Sequence, residues 1–329
     1  MNKTFKAYRT EESAEGFINS IQQLDFASLP SNEVTIKVAY SGINYKDYLS
    51  SIGNRGVTKR YPHTPGVDAS GWIEEDTTHT YTQGQPVIVM GFDMGMNQDG
   101  AFAEYIRVPA AHVLPLPSAF SLEEAMRIGT SGFTAALGIR KMIQMGAKPS
   151  DGPLVVSGAT GGVGSFAVII LAGLGFEVWA MTGKAEKEAQ LRKFGAQKIL
   201  RREDVMLAPK KALARPRWAG AFDCVGGQTL TSLLRQCQQA GSVATCGNVG
   251  GAELEMTVYP FILNGVNLLG INAADTPMTI RKEIWKMLEK AIDPTLLLDT
   301  GTLISLEEVT TALDKIGKGK HTGRYTLKL

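Results

Sequence analysis

The chain has 329 residues, which corresponds to about two domains at ~150 residues per domain. Hydrophobic residues make up 44% and charged residues 20%, so a disordered, collagen-like or disulfide-rich miniature protein is excluded. With 34 Lys and Arg against 32 Asp and Glu, the net charge of +2 gives no electrostatic reason to expect a nucleic acid or an anionic membrane as the main partner.

The first third of the chain predicts a β-rich domain. Residues 34–38 alternate between apolar and polar side chains, as a half-buried strand does. Residues 86–90 and 102–108 are further strand candidates, and turns containing Gly and Pro recur between them. Many short strands joined by regular turns are typical of a small barrel or a partly open sheet.

Beyond residue 121 the pattern changes to strands that alternate with helices. Ser121 and Glu124 have the spacing of a capping box, which predicts a helix start. The predicted strands are 154–157, 177–181, 220–225 and 242–246, and the predicted helices are 163–174 and 184–194, the second closed by Gly195. Such alternation is typical of a doubly wound parallel sheet.

These patterns predict an α/β protein with two domains. A β-rich domain is expected at 1–122 and a Rossmann domain at 123–265. Residues 266–329 are expected to return to the first domain and complete it, with a last strand at 325–329.

The three cysteines, Cys224, Cys237 and Cys246, are an odd number and include no C-x-x-C pair. They favour a reducing compartment and exclude a zinc site of four thiolates. The first residues lack the apolar stretch of a secretory leader, and no run reaches the ~20 apolar residues of a membrane span. We therefore expect a cytoplasmic protein.

Residues 154–164, with the sequence LVVSGATGGVG, are the strongest local signal. An apolar strand runs into clustered glycines and then into an apolar helix, so backbone and the positive end of a helix can approach a pyrophosphate. The spacing G-x-x-G-x-x-G departs from G-x-G-x-x-G, and an ordinary glycine-rich turn is the alternative. The expected dinucleotide contacts are Thr160, Gly161, Gly162, Val163 and Gly164.

The second strand of the predicted Rossmann domain favours NADPH over NADH. Folds that bind NAD place Asp or Glu at the carboxyl end of this strand, where it binds the ribose hydroxyls. Here the strand ends in Thr182, Gly183 and Lys184, whereas Glu177 lies at its start, ~16 Å away at ~3.3 Å per residue. Thr182 and Lys184 can donate to a 2′-phosphate, which a carboxylate would repel. The alternative for Lys184 is a solvated residue at a helix start.

Several phrases occur in order along the chain: SGINYKD at 41–47, TPGVD at 64–68, GTSGFTA at 129–135 and the glycine turn. Together they resemble the medium-chain dehydrogenase/reductase superfamily, in its zinc-free branch of quinone oxidoreductases and acrylyl-CoA reductases. The supporting phrases are D-x-VGG at 223–227, CGN at 246–248, PFIL at 260–263 and the final Gly323-Arg324. The resemblance covers essentially the whole chain and implies a GroES-like catalytic domain, a Rossmann domain and a homodimer.

The resemblance also implies the site residues. Asn44, Tyr45 and Asp47 would be the catalytic residues beside the nicotinamide, with the Tyr45 O–H available to a developing enolate. Asp47 would accept bonds from loop amides, and a general base is the alternative role for it. Packing against the nicotinamide or the core is the alternative for Tyr45. The remaining expected cofactor contacts are Tyr45, Thr134, Arg202, Cys246, Gly247, Asn248, Ile271 and Arg324, although Thr134 and Arg202 could equally be ordinary helix-surface and solvated residues.

Zinc is not expected, although much of the superfamily uses it. Where zinc-dependent relatives carry a ligand cysteine after the first strand, this chain has Ser41-Gly42-Ile43-Asn44. The histidines, at 63, 79, 112 and 321, show no paired spacing. Without a Lewis acid, alcohol oxidation loses its usual route to an alkoxide, whereas hydride addition to a conjugated carbonyl compound remains feasible.

Three functions are therefore open. The first is NADPH-dependent reduction of a short 2-enoyl-CoA thioester, acryloyl-CoA being the substrate of the subgroup. The second is reduction of a quinone or an enone with the same cofactor and site, and the third is non-catalytic NADPH binding. Arg55, Lys59 and Arg60 are available for the phosphates of a coenzyme A tail, but basic surface loops are common.

Overall fold

The computed structural model describes residues 3–207 and 212–329. Backbone contacts divide the chain into two units. Unit 1 comprises Met1–Thr130, Ala274–Glu283 and Thr300–Leu329, and unit 2 comprises Ser131–Ala273 and Ile284–Asp299. Within the described residues, every helix is too short or too polar to span a bilayer.

The strands, in chain order, are β1 (Thr4–Ser13), β2 (Gly16–Asp25), β3 (Val34–Gly42), β4 (Asp68–Asp76), β5 (Pro86–Met90), β6 (Tyr105–Val108), β7 (Val113–Pro115), β8 (Leu154–Val156), β9 (Val178–Met181), β10 (Lys198–Leu200), β11 (Trp218–Asp223), β12 (Cys237–Thr245), β13 (Asn267–Gly270), β14 (Gly301–Ile304) and β15 (Arg324–Lys328). The α-helices are α1 (Tyr45–Ser51), α2 (Leu122–Gln144), α3 (Gly162–Gly173), α4 (Glu188–Lys193), α5 (Arg202–Val205), α6 (Gly227–Arg235), α7 (Tyr259–Asn264), α8 (Met278–Ala291) and α9 (Val309–Gly317).

Unit 1 is built on a mostly antiparallel sheet with the strand order β14-β15-β3-β4-β5-β7. β6 and β15 pair with different lengths of β3, at residues 34–37 and 40–42. Apolar side chains that alternate along these strands pack into one core, among them Val34, Ile36, Ile73, Val87 and Ile106. The predicted β-rich domain is thereby confirmed.

The strand predicted at 102–108 is shorter in the structure, where it spans only Tyr105–Val108. Phe102 is bonded elsewhere: its N–H donates to the Pro65 carbonyl at 3.0 Å, and its carbonyl accepts from the Tyr8 N–H at 2.8 Å. Because these backbone groups are already paired with other segments, Phe102 does not extend the ladder between β6 and β3.

Within its described residues, unit 2 contains a six-stranded, fully parallel sheet in the order β10-β9-β8-β11-β12-β13. Counted from β8 in chain order, this is 3-2-1-4-5-6, the order of a doubly wound dinucleotide-binding fold. The middle of α3, from Gly164 to Leu171, is buried on all sides, as its continuous apolar sequence requires. The predicted Rossmann domain is confirmed.

The boundaries between the units differ from those predicted. β13 pairs with β12 in unit 2, with Ser242 opposite Asn267, although residues 266–329 were expected to belong to the first domain. The chain joins unit 1 only from Ala274, and residues 284–299 belong to unit 2 again. This division depends on backbone pairing between segments that are distant in sequence, and local sequence patterns do not predict such pairing.

The helix predicted after Ser121 begins at Leu122, and the capping box is present. The Ser121 N–H donates to Glu124 at 2.8 Å, and the Glu124 N–H donates to the Ser121 hydroxyl at 3.3 Å. The backbone departs from helical geometry at Gly129 (φ +41°, ψ −152°), directly before the unit boundary at Thr130. A Cβ on Gly129 would lie only 2.5 Å from an Asp68 carboxylate oxygen, so both conformation and space require glycine.

The helix predicted at 184–194 is shorter and begins differently. Residues Ala185–Lys187 form a 3-10 turn, and α4 covers only Glu188–Lys193. Gly195 follows it with a φ of +103°, as expected for a residue that closes a helix.

Candidate active site

The glycine turn of unit 2 connects β8 to α3. Gly158 has a φ of +60°, and the Gly161 N–H donates to the Gly158 carbonyl at 2.9 Å. A Cβ on Gly164 would lie 2.2 Å from the Gly158 oxygen, so α3 contacts the turn only because residue 164 is glycine. The first backbone N–H groups of α3 lack partners within the helix and face the region after the strand, where an anion can bind.

This turn lies at the point where the sheet order reverses. β8 and β11 are neighbours at the centre of the sheet, and the chain continues from them toward opposite edges. Open parallel sheets bind ligands at the carboxyl ends of the strands that flank such a point. The turn at 157–161 and the residues after Asp223 are therefore the expected binding region.

Asp223 holds the ends of three central strands together. Its buried carboxylate accepts hydrogen bonds from the hydroxyls of Ser157 at 2.6 Å and Thr245 at 3.0 Å. It also accepts from the backbone N–H groups of Val225 and Gly226. Sequence reasoning singled out residue 223 only as part of a family phrase, because Ser157 and Thr245 are far from it along the chain.

The end of β9 carries no carboxylate, as predicted. The Thr182 hydroxyl accepts from the Lys184 N–H at 3.1 Å and lies 3.3 Å from the Thr160 hydroxyl in the glycine turn. Glu177 lies at the other end of the strand, where its carbonyl accepts from the Leu154 N–H. Thr182 is therefore next to the turn, and Gly183 is exposed beyond it.

Two arginines follow the neighbouring strand at the same edge of the sheet. Leu200, the last residue of β10, is in register with Met181. Arg201 and Arg202 follow directly, and Arg202 is an exposed residue at the start of α5. Lys184, Arg201 and Arg202 thus all follow strands that end at the same edge of the sheet.

The other cofactor residues predicted in unit 2 follow β12 and β13 or lie in α2. Cys246 and Gly247 follow β12, and a Cβ on Gly247 would lie 2.4 Å from the Cys224 carbonyl oxygen. The Ile271 N–H donates to the Thr245 carbonyl at 3.1 Å, which places residue 271 beside them. Asn248 is exposed after Gly247, and Thr134 is buried in α2.

In unit 1, Asp47 anchors the helix that begins at Tyr45. Its buried carboxylate accepts from the N–H of Asn44 at 2.7 Å and from the N–H groups of Gly66 at 3.0 Å and Val67 at 3.2 Å. Burial raises the pKa of Asp47 to about 7, and the hydrogen bond from Asn44 opposes this rise. Asp47 thus accepts loop amides, as the resemblance implied.

A second buried carboxylate, Asp68, forms an ion pair with Arg324. Asp68 also accepts from the Asn44 side-chain amide at 3.0 Å and from the backbone N–H and hydroxyl of Thr130. The Arg324 guanidinium donates further to the Asn44 side-chain oxygen at 3.1 Å and to the Met126 carbonyl at 3.2 Å. Its side chain is 1% exposed, so the expected contact of Arg324 with a cofactor gains no support from its position.

Tyr45 differs from these buried groups because it is exposed. It is the first residue of α1 and is 48% exposed, and its ring centroid lies 5.7 Å from that of Tyr48. The helix start that Asp47 anchors therefore presents the Tyr45 ring and hydroxyl at the surface of unit 1.

The basic residues considered for a coenzyme A tail are not equivalent. Arg55 pairs with Glu12 at 2.7 Å, donates to the Lys59 carbonyl and lies over the Tyr61 ring. Its charge is therefore balanced by a carboxylate. Lys59 and Arg60 are exposed, as Arg55 is, but they form no ion pair with the described residues.

The histidines lie in different surroundings. His63 is buried near Asp99 at 3.5 Å, and burial lowers its pKa. His112 stacks on Phe92 with 3.8 Å between ring centroids. In the ranges 3–207 and 212–329, no three His, Cys, Asp or Glu side chains are grouped in a way that could hold a metal ion.

Comparison with protein families gives two matches in the expected order. Residues 30–118 match the alcohol dehydrogenase GroES-like domain, and residues 162–290 match the zinc-binding dehydrogenase family.

Curated relatives match along most or all of the chain. "Putative quinone oxidoreductase YhfP" of Bacillus subtilis (strain 168) is 41% identical over 100% of both chains. "Acrylyl-CoA reductase AcuI" of Ruegeria pomeroyi is 40% identical over 82% of each.

Two solved structures share the fold throughout. The yhdH oxidoreductase from Salmonella enterica in complex with NADP superposes with a TM-score of 0.95 at 36% identity, covering 98% of this chain and 99% of that one. Bacillus subtilis protein yhfP with NAD bound superposes with a TM-score of 0.96 at 41% identity, covering 99% and 100%.

Proposed function

Because the chain belongs to the medium-chain dehydrogenase/reductase superfamily, in the subgroup of YhfP and the AcuI acrylyl-CoA reductases, we propose that it is an NADPH-dependent reductase of a short 2-enoyl-CoA thioester such as acryloyl-CoA, acting without zinc. The observation that carries the proposal is the glycine turn at the reversal point of the parallel sheet, with Thr182 and Lys184 after the next strand. This arrangement provides a dinucleotide site with a preference for a phosphorylated ribose.

The residues of unit 2 fit the cofactor. Gly158 and Gly164 shape the turn, and the N–H groups at the start of α3 are positioned for the pyrophosphate. Related structures contain NADP in one case and NAD in another, so the preference is argued from this chain's own residues. Lys184 and Arg202 provide positive charge for a 2′-phosphate, and no acidic residue ends β9.

When bound, the reduced nicotinamide supplies the hydride. The Tyr45 hydroxyl is exposed at the start of α1 and can donate a hydrogen bond to the thioester oxygen, where negative charge develops as the β-carbon is reduced. Asp47 keeps Tyr45 in place through the backbone of α1. Asp47 and Asp68 are both committed to hydrogen bonds within unit 1, so neither is assigned as the base.

Reduction of a quinone or an enone is the alternative activity, and it is favoured by the name of the Bacillus subtilis relative. The same hydride donor and hydrogen-bond donor would serve both substrates, so the choice depends on contacts with coenzyme A. Lys59 and Arg60 are the exposed cations proposed for its phosphates. Non-catalytic NADPH binding is the remaining alternative, and the exposed Tyr45 hydroxyl argues against it.

We also propose a homodimer formed through unit 2. β13 is the edge strand of the described sheet, and α7 precedes it. Val258, Ile262 and Leu263 are each at least 60% exposed there, which is unusual for large apolar side chains that lie close together in sequence. A second copy that pairs along β13 would cover both the open edge and these side chains.

The substrate is tested by mixing the purified protein with NADPH and, in separate reactions, acryloyl-CoA, crotonyl-CoA and a quinone, while following the absorbance of the reduced cofactor. We expect the highest kcat/KM with acryloyl-CoA and no loss of activity with a chelator. A higher kcat/KM with the quinone would replace this proposal with the alternative, and tight NADPH binding without turnover would indicate a binding protein. If a chelator abolished the activity and added zinc restored it, the zinc-free mechanism would be overturned.

A further inference from the structure

Two cysteines lie side by side at the carboxyl edge of the parallel sheet. Cys224 follows β11 and Cys246 follows β12, and the register of these strands places Asp223 opposite Thr245. The two Sγ atoms are 3.9 Å apart, and both residues are half-buried free thiols. The two cysteines are far apart in sequence, and only the pairing of β11 with β12 brings them together.

The backbone separation suits a disulfide. Neighbouring strands are ~4.8 Å apart, which lies within the Cα–Cα range of about 4.4–6.8 Å found for disulfides. The sulfur atoms need to move together by about 2 Å to reach the bond length of ~2.05 Å, a change that side-chain rotation together with a small shift of the two loops can supply. Cys237 is separate: it is buried at the start of β12, and burial raises its pKa to about 12.

We propose that Cys224 and Cys246 form a reversible disulfide when a hydroperoxide oxidises the protein, and that this disulfide weakens cofactor binding. The Cys246 sulfur attacks one oxygen of hydrogen peroxide, so that an S–O bond forms, the O–O bond breaks, and water leaves. The Cys224 sulfur then attacks the sulfenic sulfur of Cys246, which forms the S–S bond and releases a second water. The two thiols are oxidised together and the peroxide is reduced to two waters.

The order of the two thiols follows from their surroundings. The contact with Cys246, followed by burial, raises the pKa of the Cys224 thiol well above its usual range. Cys224 is therefore the poorer first nucleophile and acts as the resolving thiol. Cys246 donates weakly toward Cys224 and toward the Asp223 carbonyl at 3.6 Å.

Movement of these sulfurs affects the predicted cofactor segment because the loops there are packed backbone against backbone. A Cβ on Gly247 would lie 2.4 Å from the Cys224 carbonyl oxygen, and one on Gly226 would lie 2.6 Å from the Gly251 oxygen. The Gly250 N–H also donates to the Val225 carbonyl at 2.7 Å. Because the two loops are packed this closely at their glycines, we infer that shortening the Cys224–Cys246 distance shifts residues 246–248.

The effect on the cofactor rests on the proposed function, whereas formation of the disulfide does not. The reduced full-length protein is treated with hydrogen peroxide and analysed by intact mass, thiol counting and peptide mapping without reductant. We expect the loss of two hydrogen atoms, a fall from three titratable thiols to one, and a cross-link between residues 224 and 246. Dithiothreitol should reverse all three. Unchanged thiols, added oxygen atoms or a cross-link to Cys237 would overturn the proposal.

The consequence is measured by NADPH titration of the reduced and oxidised protein. We expect at least tenfold weaker binding after oxidation and recovery with dithiothreitol. Cys224→Ser should have the same NADPH affinity before and after peroxide treatment, whatever that affinity is, whereas the control Cys237→Ala should still form the cross-link. Equal NADPH affinity in both redox states would overturn the regulatory part.

A reduced protein that does not bind NADPH would contradict the proposed function instead. In that case, amide hydrogen exchange at 246–251 in the two redox states decides whether the disulfide displaces the segment.

Discussion

The two units each bury a carboxylate network at their predicted site, but the networks are built differently. In unit 2, Asp223 is surrounded by hydroxyl and backbone N–H donors. In unit 1, Asp68 is paired with the buried cation of Arg324, and Asp47 lies close enough that Asp68 helps to raise the pKa of Asp47. Removing one neutral donor leaves the carboxylate with its other hydrogen bonds. Removing one partner of a buried ion pair leaves the charge of the other partner uncompensated.

Replacing Arg324 with methionine should produce the largest change. Arg324→Met leaves Asp68 buried without its counter-charge, and we expect a loss of about 3–5 kcal/mol in the free energy of unfolding, measured with urea. Asp223→Asn, which keeps the shape and removes a charge held by neutral donors, should cost about 1–3 kcal/mol. The double variant Asp68→Asn/Arg324→Met should recover part of the first loss. Equal costs for the two single variants would contradict the comparison.

The second test uses pH to separate Asp47 from the other carboxylates. Burial raises its folded-state pKa from an ordinary 3.8 to about 7, so its contribution to stability is fully present below pH 3.8 and is lost as the pH rises through about 7. This difference between the unfolded and folded pKa corresponds to about 4 kcal/mol in the free energy of unfolding.

The measurement compares urea unfolding of the native protein and Asp47→Asn between pH 4 and pH 8. We expect the native protein to lose stability relative to the variant as the pH rises, whatever the offset between them at pH 4. Glu253→Gln, at an exposed position, is the control and should show no such trend. A pH-independent difference for Asp47→Asn would show that its carboxyl titrates normally.

The third test asks whether unit 1 supplies chemistry as well as structure. Tyr45→Phe keeps the ring and removes only the hydroxyl, so NADPH affinity should barely change. If the hydroxyl stabilises the developing enolate, kcat falls by about ten- to a thousandfold; if the ring only positions the substrate, KM rises while kcat stays constant. Tyr45→Ala should have a lower kcat and a higher KM than Tyr45→Phe. Full activity of both variants on the best thioester would remove Tyr45 from the site.

The smallest expected effect concerns unit 2 and the choice of cofactor. Thr182 and Lys184 should supply one or two charge-assisted bonds to a 2′-phosphate, and one such bond, at ~1.5–3 kcal/mol, already favours NADPH over NADH by about ten- to a hundredfold or more. Lys184→Glu should narrow the ratio of the two affinities. Lys286→Glu, a charge reversal at an exposed position of α8 in unit 2, is the matched control. Fluorescence titration with both cofactors measures the ratio. Equal affinities in the native protein would contradict the assignment.

Local sequence signals predicted the elements whose structure depends on near neighbours. The strand at 86–90 was predicted to the residue, and the box of Ser121 and Glu124 begins its helix as expected. The hairpin of β1 and β2 was missed, because much of its surface is exposed and the alternation there is weak. The structure divides the chain elsewhere than at the predicted boundary of 266, because β13 pairs with β12 in the sheet of unit 2, and this pairing is not a property of the local sequence.

The sequence by itself determined the dinucleotide turn, the absence of a carboxylate at the end of β9 and the division into β-rich and alternating regions, because each follows from residue types a few positions apart. Only the tertiary structure brought Arg324 to Asp68, Ser157 and Thr245 to Asp223, and Cys224 to Cys246. These contacts join residues on different strands, and their distances depend on strand order and register. The tertiary structure also determines the pKa of Asp47, because burial raises it from an ordinary carboxyl value to about 7.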